Sequence, residues 1–550
     1  MSGPDALIPS RRAFLTGLAA TGAAGLLLRP DASPAQAADA ESTAVTRTPF
    51  PSDRQGFNRR WFADGLQMVC IPTRAADVAA SLEGAISAHG SNVKVVSGRH
   101  CYEDFAYNSS TQAIIDMSGI NSAGFDPAVG AYFVDAGCDN WSAYRTLLNV
   151  FGRTLPDGSC ASVGAGGHIS GGGYGLLSRE YGLSIDQVTA IDIVTWDAVS
   201  AKASLRHVSD SSTDAAERDL FWAARGAGGG NFGIIVRFYF ADPPVAPAYA
   251  SIWTVAWNWS DLTSTGFRRL LAEYADWVAE MPGLQFSLLK LNHVAAGQVM
   301  MILQIASDPG VGRDAHLTQV GRTVTAAQKR FSSAARVAPG QQLVQHLTLL
   351  EALWTLNGSG PNQFGKYKSS YLRAAMPEDQ VDAIHHWLNT YPDDVPHSDM
   401  AQSLVQVDSY GGAINRHSST SSAVPQRSSL LKLQFQTYWN NSSLVGEGDE
   451  GRAAAQENTH LEWIRGMYRD TYSTYGGVPN PARDPNGIVD GCYYNYPDVD
   501  LGTHADGRID DALTLYFQDN FRKNPRNLVD IKQRWDPTNV FNHAQSIPVV

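Results

Sequence analysis

The sequence predicts an α+β chain built as two large lobes, and three observations carry that expectation. Its 550 residues exceed the roughly 250–300 at which a single hydrophobic core stops growing. Short β-like runs and longer helical patterns are mixed along the chain. Pro243-Pro244 and Pro247 break the pattern near the middle and mark a lobe boundary.

The elements follow in order. Val78, Leu82, Ala85 and Ile86 recur at helical spacing, and Val93-Lys94-Val95-Val96 reads as a short strand. Ile114–Met117, Tyr132–Asp135, Ile191–Val194 and Ile234–Val236 read as further strands, with a helix near 141–150. Beyond the boundary, helical patterns run over about 267–281, 377–390 and 457–474, and a strand over 430–438. The tail from Tyr493 is dense in motifs and ends in an amphipathic pattern near 524–534. The expected parts are therefore residues 38–243, 244–492 and 493–550, preceded by a leader over 1–37.

The leader is read from Ser10-Arg11-Arg12-Ala13-Phe14-Leu15, a twin-arginine pattern, followed by an apolar run too short to span a bilayer. Ala35-Gln36-Ala37 is an A-x-A cleavage signal, so the expectation is export through the twin-arginine route with cleavage near Ala37. A net charge of −12 argues against nucleic acid or an anionic membrane as partner. Five cysteines make no disulfide scaffold, and the odd count leaves at least one thiol unpaired. No metal motif of the H-E-x-x-H or C-x-x-C type is present, so no metal is expected.

The densest signal lies between Gly158 and Gly175, where eight of eighteen residues are Gly. Such a run is expected to be neither helix nor strand interior but a nest of backbone N–H groups suited to a pyrophosphate. A second cluster, Gly228-Gly229-Gly230-Asn231-Phe232-Gly233, matches G-x-G-x-x-G. It leads into a strand instead of opening a helix, so the Rossmann reading fails. Gly360–Lys366 resembles a Walker string, but Tyr367 stands where Ser or Thr is required, which makes it a chance match. Ser97-Gly98-Arg99-His100-Cys101 ends a strand in a turn that presents a histidine.

These residues resemble the berberine-bridge-enzyme-like branch of the vanillyl-alcohol-oxidase flavoproteins, and the likeness is strongest to bacterial aclacinomycin-oxidoreductase-type enzymes. The family's S-G-G-H appears as Ser97-Gly98-Arg99-His100, with Arg99 where Gly is usual. The family's G-x-C-x-x-V-G-x-G-G-H-x-x-G-G-G-Y-G stands intact from Gly158 to Gly175. Asn495-Tyr496-Pro497, Tyr516-Phe517 with Asn520-Phe521, and Asp536–Phe541 match as well. The resemblance implies a PCMH-type FAD-binding domain and a substrate domain with an antiparallel sheet covered by helices. It implies FAD attached twice, to the 8-methyl group through His100 and to C6 through Cys160.

The cofactor contacts implied with them are Ser97, Gly98, Arg99, Cys101, Val163, Gly164, Gly166, Gly167, His168, Gly171, Gly172, Gly173, Tyr174 and Gly175. Gly230, Asn231, Gly233, Ile234, Tyr496 and Asn520 complete the set. His168 is expected to stabilise reduced flavin, Arg99 to add charge beside the pyrophosphate, and Val163 to control access of O₂. On the substrate side the resemblance implies Tyr496 as the base and Tyr410 as a second active-site tyrosine. Lys368 is the expected cation that lowers a tyrosine pKa. The expected activity is oxidation of a secondary alcohol on a sugar or glycosylated metabolite, with O₂ reduced to H₂O₂. Oxidative ring closure or lactone formation is the alternative enzyme reading, and a flavin-loaded binding protein without turnover is the third.

Overall fold

Three sheets organise the chain, which we describe from a computed structural model covering residues 44–360, 362–393, 395, 397–439 and 450–550. The leader expected over 1–37 lies outside the described residues. Strands β1 (Val45–Arg47), β2 (Met68–Ile71), β3 (Val93–Val96) and β4 (Ala113–Asp116) form the first sheet in the order β1-β2-β4-β3. β2 and β3 both run parallel to β4, while β1 is antiparallel to β2. Parallel neighbours need a crossover, and the helix Ala75–His89 supplies the one between β2 and β3. Its Val78, Leu82 and Ala85 pack with Cys70 and Ile115 of the sheet, at the helical spacing visible in the sequence.

The second sheet holds β5 (Ala123–Asp126), β6 (Ala131–Asp135), β7 (Ala190–Asp197), β8 (Lys202–Ser209) and β9 (Ile234–Phe240). Its order is β5-β6-β9-β7-β8, antiparallel throughout. Gly233 passes directly into β9, so the second glycine cluster feeds a strand, as its sequence context requires. The helix expected near 141–150 is Asn140–Phe151, capped by Asp139, whose carboxylate accepts from Ser142 N at 2.7 Å.

The third sheet contains β10 (Tyr249–Asn258), β11 (Gln285–Asn292), β12 (Gln298–Ala306), β13 (Gln341–Thr348), β14 (Phe364–Leu372), β15 (Leu404–Ser409) and β16 (Leu431–Trp439). All seven pair antiparallel, in the order β13-β10-β12-β11-β15-β16-β14. Alternation assigns its two faces. Leu289, Leu291, Val405, Val407, Leu433 and Phe435 join a core with Phe267, Leu270, Tyr274, Ile384, Leu388 and Ile464 from helices Ser264–Glu280, Glu378–Leu388 and Glu450–Thr471. The intervening residues line a cavity. The fold is thus α+β, with an antiparallel sheet covered by helices on one face. Among the described residues no helix is long and apolar enough to cross a membrane.

One expectation about local structure needs correction, and one helix was not foreseen. The glycine-rich run does contain a helix, Ala165–Ser170, with Gly166 and Gly167 inside it. Tertiary contact offsets their poor helix propensity: Ala165 N and Gly166 N donate to Cys138 O and Ala136 O, each at 2.8 Å. A Cβ at Gly166 would stand 2.9 Å from that same Ala136 oxygen. The longest helix among the described residues, Arg313–Ala335, is not visible in the sequence because its buried stripe is sparse and includes a histidine, His316 with Val320, Ala327 and Phe331.

Candidate active site

The open face of the third sheet and the loops after β3 and around Cys160 enclose a cavity of about 720 Å³. Most residues expected to hold the cofactor line it: Ser97, Gly98, Arg99, His100, Cys101, Cys160, Val163, Gly164, Gly166, Gly167, His168, Tyr174, Gly175, Gly230, Gly233, Ile234 and Tyr496. The two loops that carry His100 and Cys160 touch. A Cβ on Gly98 would fall 2.2 Å from Gly164 N, so only glycine permits the approach.

His100 is stacked on Phe57 with ring centroids 4.7 Å apart, and its Nε2 lies 2.8 Å from Ser162 Oγ. Ser162 Oγ in turn donates to Ser359 Oγ at 2.9 Å. Burial lowers the His100 pKa to about 4, so its imidazole is neutral at ordinary pH. Burial also pushes the Cys160 thiol up, against the pull of Lys290 and Lys432. None of the five cysteines is joined to another in a disulfide.

His168 accepts from Gly158 N through Nε2 at 3.0 Å, which leaves the proton of a neutral ring on Nδ1. Burial holds its pKa below the usual value, opposed by Asp157.

Arg99 adopts φ 61°, the left-handed region where glycine is at ease. That accounts for the family preference at this position. Its guanidinium turns to Asp116 and Asp53 instead of adding free charge to the cavity.

Several expected residues lie behind the wall. Gly171, Gly172 and Gly173 serve packing: a Cβ at Gly171 would be 1.9 Å from Asn495 Oδ1, and one at Gly173 would be 2.4 Å from Ser184 Oγ. Asn231 donates to Ala227 O at 2.9 Å and accepts from Ile547 N at 2.8 Å. Asn520 donates to Ser419 O at 2.7 Å. Tyr410 is fully buried between the rings of Tyr174 and Tyr371, and its hydroxyl donates to Gln426 O at 3.2 Å. It does not reach the cavity.

Lys368 is displaced from its expected role by strand alternation. It stands directly opposite Phe435 on β16, so its side chain leaves on the helix face. There it pairs with Asp498 and Asp500, both at 2.7 Å. Lys366, the lysine of the chance Walker string, joins the same cluster with Glu103 and Asp498.

The cation beside Tyr496 is Lys432. Its ammonium donates to Tyr496 Oη at 3.1 Å, lies 4.4 Å from the centroid of that ring and pairs with Asp408 at 2.7 Å. Asp408 also accepts from Gln406 Nε2 at 2.8 Å. Burial, and after it the nearby Asp408 carboxylate, raise the Tyr496 pKa well above its usual value, and the Lys432 ammonium is the cation within hydrogen-bond reach of its oxygen. The signal for these residues was available in the period-2 run Lys432, Gln434, Gln436 within Leu431–Thr437, and in Gln406 and Asp408 within Leu404–Asp408. Each run alternates apolar residues with polar ones that share a face.

Two tests of fit favour a dinucleotide flavin. The N–H groups of Gly98, Arg99, His100 and Cys101 find no acceptor among the described residues, although all four residues line the cavity. A Cβ at Gly167 would meet nothing within 4 Å, so the helix presents bare backbone to the cavity. FAD when bound supplies the two-electron acceptor.

Unpaired backbone donors and a neutral histidine thus face a sheet whose Lys432 reaches Tyr496 from the C-terminal segment, the arrangement of a flavin-linked oxidoreductase. Comparison with known proteins agrees. Residues 66–204 match the family model "FAD binding domain" and residues 492–548 match "Berberine and berberine like". The chain is 35% identical to hexose oxidase of Chondrus crispus over 91% of its length and 93% of that protein. It is 33% identical to aclacinomycin-N/aclacinomycin-A oxidase of Streptomyces galilaeus over 90% of its length and 87% of that protein. Among solved structures, CrmK, a flavoenzyme involved in shunt product recycling in caerulomycin biosynthesis, matches with a TM-score of 0.80 at 32% identity. The match covers 92% of this chain and 99% of that one. The chain belongs to the berberine-bridge-enzyme-like family and is an FAD-linked oxidoreductase.

Proposed function

We propose that the protein is a bicovalent FAD oxidase that oxidises the carbinol carbon of a sugar or glycosylated metabolite, with O₂ as acceptor and H₂O₂ as product. The observation that carries the substrate side is the cavity wall of β15 and β16, where Gln406, Asp408, Gln434, Gln436 and Tyr438 present amides, a carboxylate and a phenol. Such groups bind hydroxyls through paired donors and acceptors. The likeness to a hexose oxidase, and to a glycopeptide hexose oxidase solved with teicoplanin, supports the same substrate class.

In this reading His100 and Cys160 carry the two covalent links. Ser162 holds His100 Nε2, which leaves Nδ1 as the bonding nitrogen. Tyr496 takes the substrate hydroxyl proton, and Lys432 holds the negative charge that the phenol oxygen then carries. Val163 lines the cavity beside Cys160 and controls access of O₂. Residues 38–243 form the cofactor lobe, 244–492 the substrate lobe, and 493–550 return Tyr496 to the cofactor. Export of the folded, flavin-loaded chain follows from the twin-arginine leader.

The experiment is acid precipitation followed by peptide mapping. Wild type keeps its yellow colour, and flavin is found on peptides containing His100 and Cys160. His100→Ala and Cys160→Ala each retain one link, and the double variant releases FAD. Quantitative release of FAD from wild type would rule out the attachment.

A further inference from the structure

The charges on the substrate wall do not balance. Lys432 is matched by Asp408 at 2.7 Å. Lys290, on β11, stands directly opposite Gln406 in the β11–β15 register and lines the cavity. Gln406 in turn stands opposite Gln434 on β16, so one row across three strands presents an ammonium and two amides. The Lys290 ammonium forms no hydrogen bond or ion pair with any described residue, its backbone alone being engaged in the sheet. The ionisable groups close enough to act on it are Asp408 and Cys160. Asp408 already accepts from Lys432 and from Gln406 Nε2 at 2.8 Å, and Cys160 is held in its neutral form by burial. An ammonium recessed in a protein wall without a counter-ion is costly, and a ligand that brings an anion removes the cost.

We propose that Lys290 receives a carboxylate carried by the substrate, so that the cavity selects acidic aldoses, the hexuronic acids, over neutral hexoses. The amides in its row bind the remaining hydroxyls, and the Tyr496–Lys432 pair faces the carbon that is oxidised. A charge-assisted hydrogen bond at this point favours a carboxylate over the corresponding hydroxymethyl group by roughly ten- to a hundredfold. The proposal rests on the sugar-oxidase reading and refines it.

The test uses the flavin-loaded enzyme with D-glucuronate and D-galacturonate against D-glucose and D-galactose, read as peroxide release. Wild type, Lys290→Met and Lys290→Arg are compared after flavin content has shown that each variant folds and binds its cofactor. Lys290→Met should lower the acid-to-neutral ratio of kcat/KM by roughly ten- to a hundredfold, mainly through KM for the acids. Lys290→Arg should keep most of the ratio. An unchanged ratio overturns the proposal, because the cation then serves the flavin and both substrate classes slow together. Turnover of neutral hexoses with none of the acids by wild type also overturns it while leaving the sugar-oxidase reading intact. Absence of turnover with all four sugars overturns the proposal and the free-sugar form of that reading, leaving only a glycosylated metabolite as substrate.

Discussion

Tyr496→Phe should slow anaerobic reduction of the bound flavin by substrate by about 10²–10⁴-fold, the range general-base assistance is worth. The phenol sits where the cavity meets Lys432, 3.1 Å from its ammonium, and the ring stacks near Tyr102 with centroids 5.6 Å apart. Phenylalanine keeps that packing and removes only the oxygen. Cofactor attachment and thermal stability should therefore change little, and reoxidation of prereduced enzyme by O₂ should proceed at nearly the wild-type rate. Because burial raises the Tyr496 pKa, the phenolate fraction grows with pH throughout the neutral and alkaline range. Wild-type kcat/KM should rise with pH across that range, and the rise should be absent from Tyr496→Phe. Stopped-flow absorbance at several pH values reads both effects. Equal reduction rates in variant and wild type would place the base elsewhere.

Lys366→Met should lower stability by about 3–5 kcal/mol, the cost of removing one partner from a buried ion network. Lys366 and its partners Glu103 and Asp498 have side chains only 1% exposed. Lys368 shares Asp498, and Arg465 shares Asp500 with both lysines, so three cations face three carboxylates. This neutral cluster ties the loop after His100 to β14 and to the segment that follows Tyr496. Methionine fills the volume but leaves Glu103 without its cation. Lys368→Met should cost less, because its partner Asp500 is 21% exposed and keeps Arg465. Denaturant midpoints of the flavin-loaded proteins make the comparison, and equal midpoints for Lys366→Met and wild type would contradict it.

The cofactor side of this site was legible in the sequence because its chemistry is local. Ser97–Cys101 and Gly158–Gly175 are continuous, and backbone groups in a tight turn point where the turn points them. The strands and helices with clean periodicity, such as Val93–Val96 and Asn140–Phe151, were legible for the same reason. The substrate side depends on register. Lys368 and Lys432 are both lysines in apolar strands, and only the pairing Lys368↔Phe435 and Asp408↔Lys432 decides which one faces Tyr496. Tyr410 lies on a motif that looks catalytic, yet Tyr174 stands between it and the cavity. The helix within the glycine run was hidden because distant carbonyls, at Ala136 and Cys138, hold its first turn.

The most direct measurement is anaerobic addition of aldoses to the flavin-loaded enzyme, followed by readmission of air. A sugar should bleach the flavin absorbance completely, and air should restore it with one H₂O₂ formed per sugar oxidised. A flavin that no aldose or glycoside bleaches, or one that bleaches and does not recover in O₂, would contradict the sugar-oxidase reading.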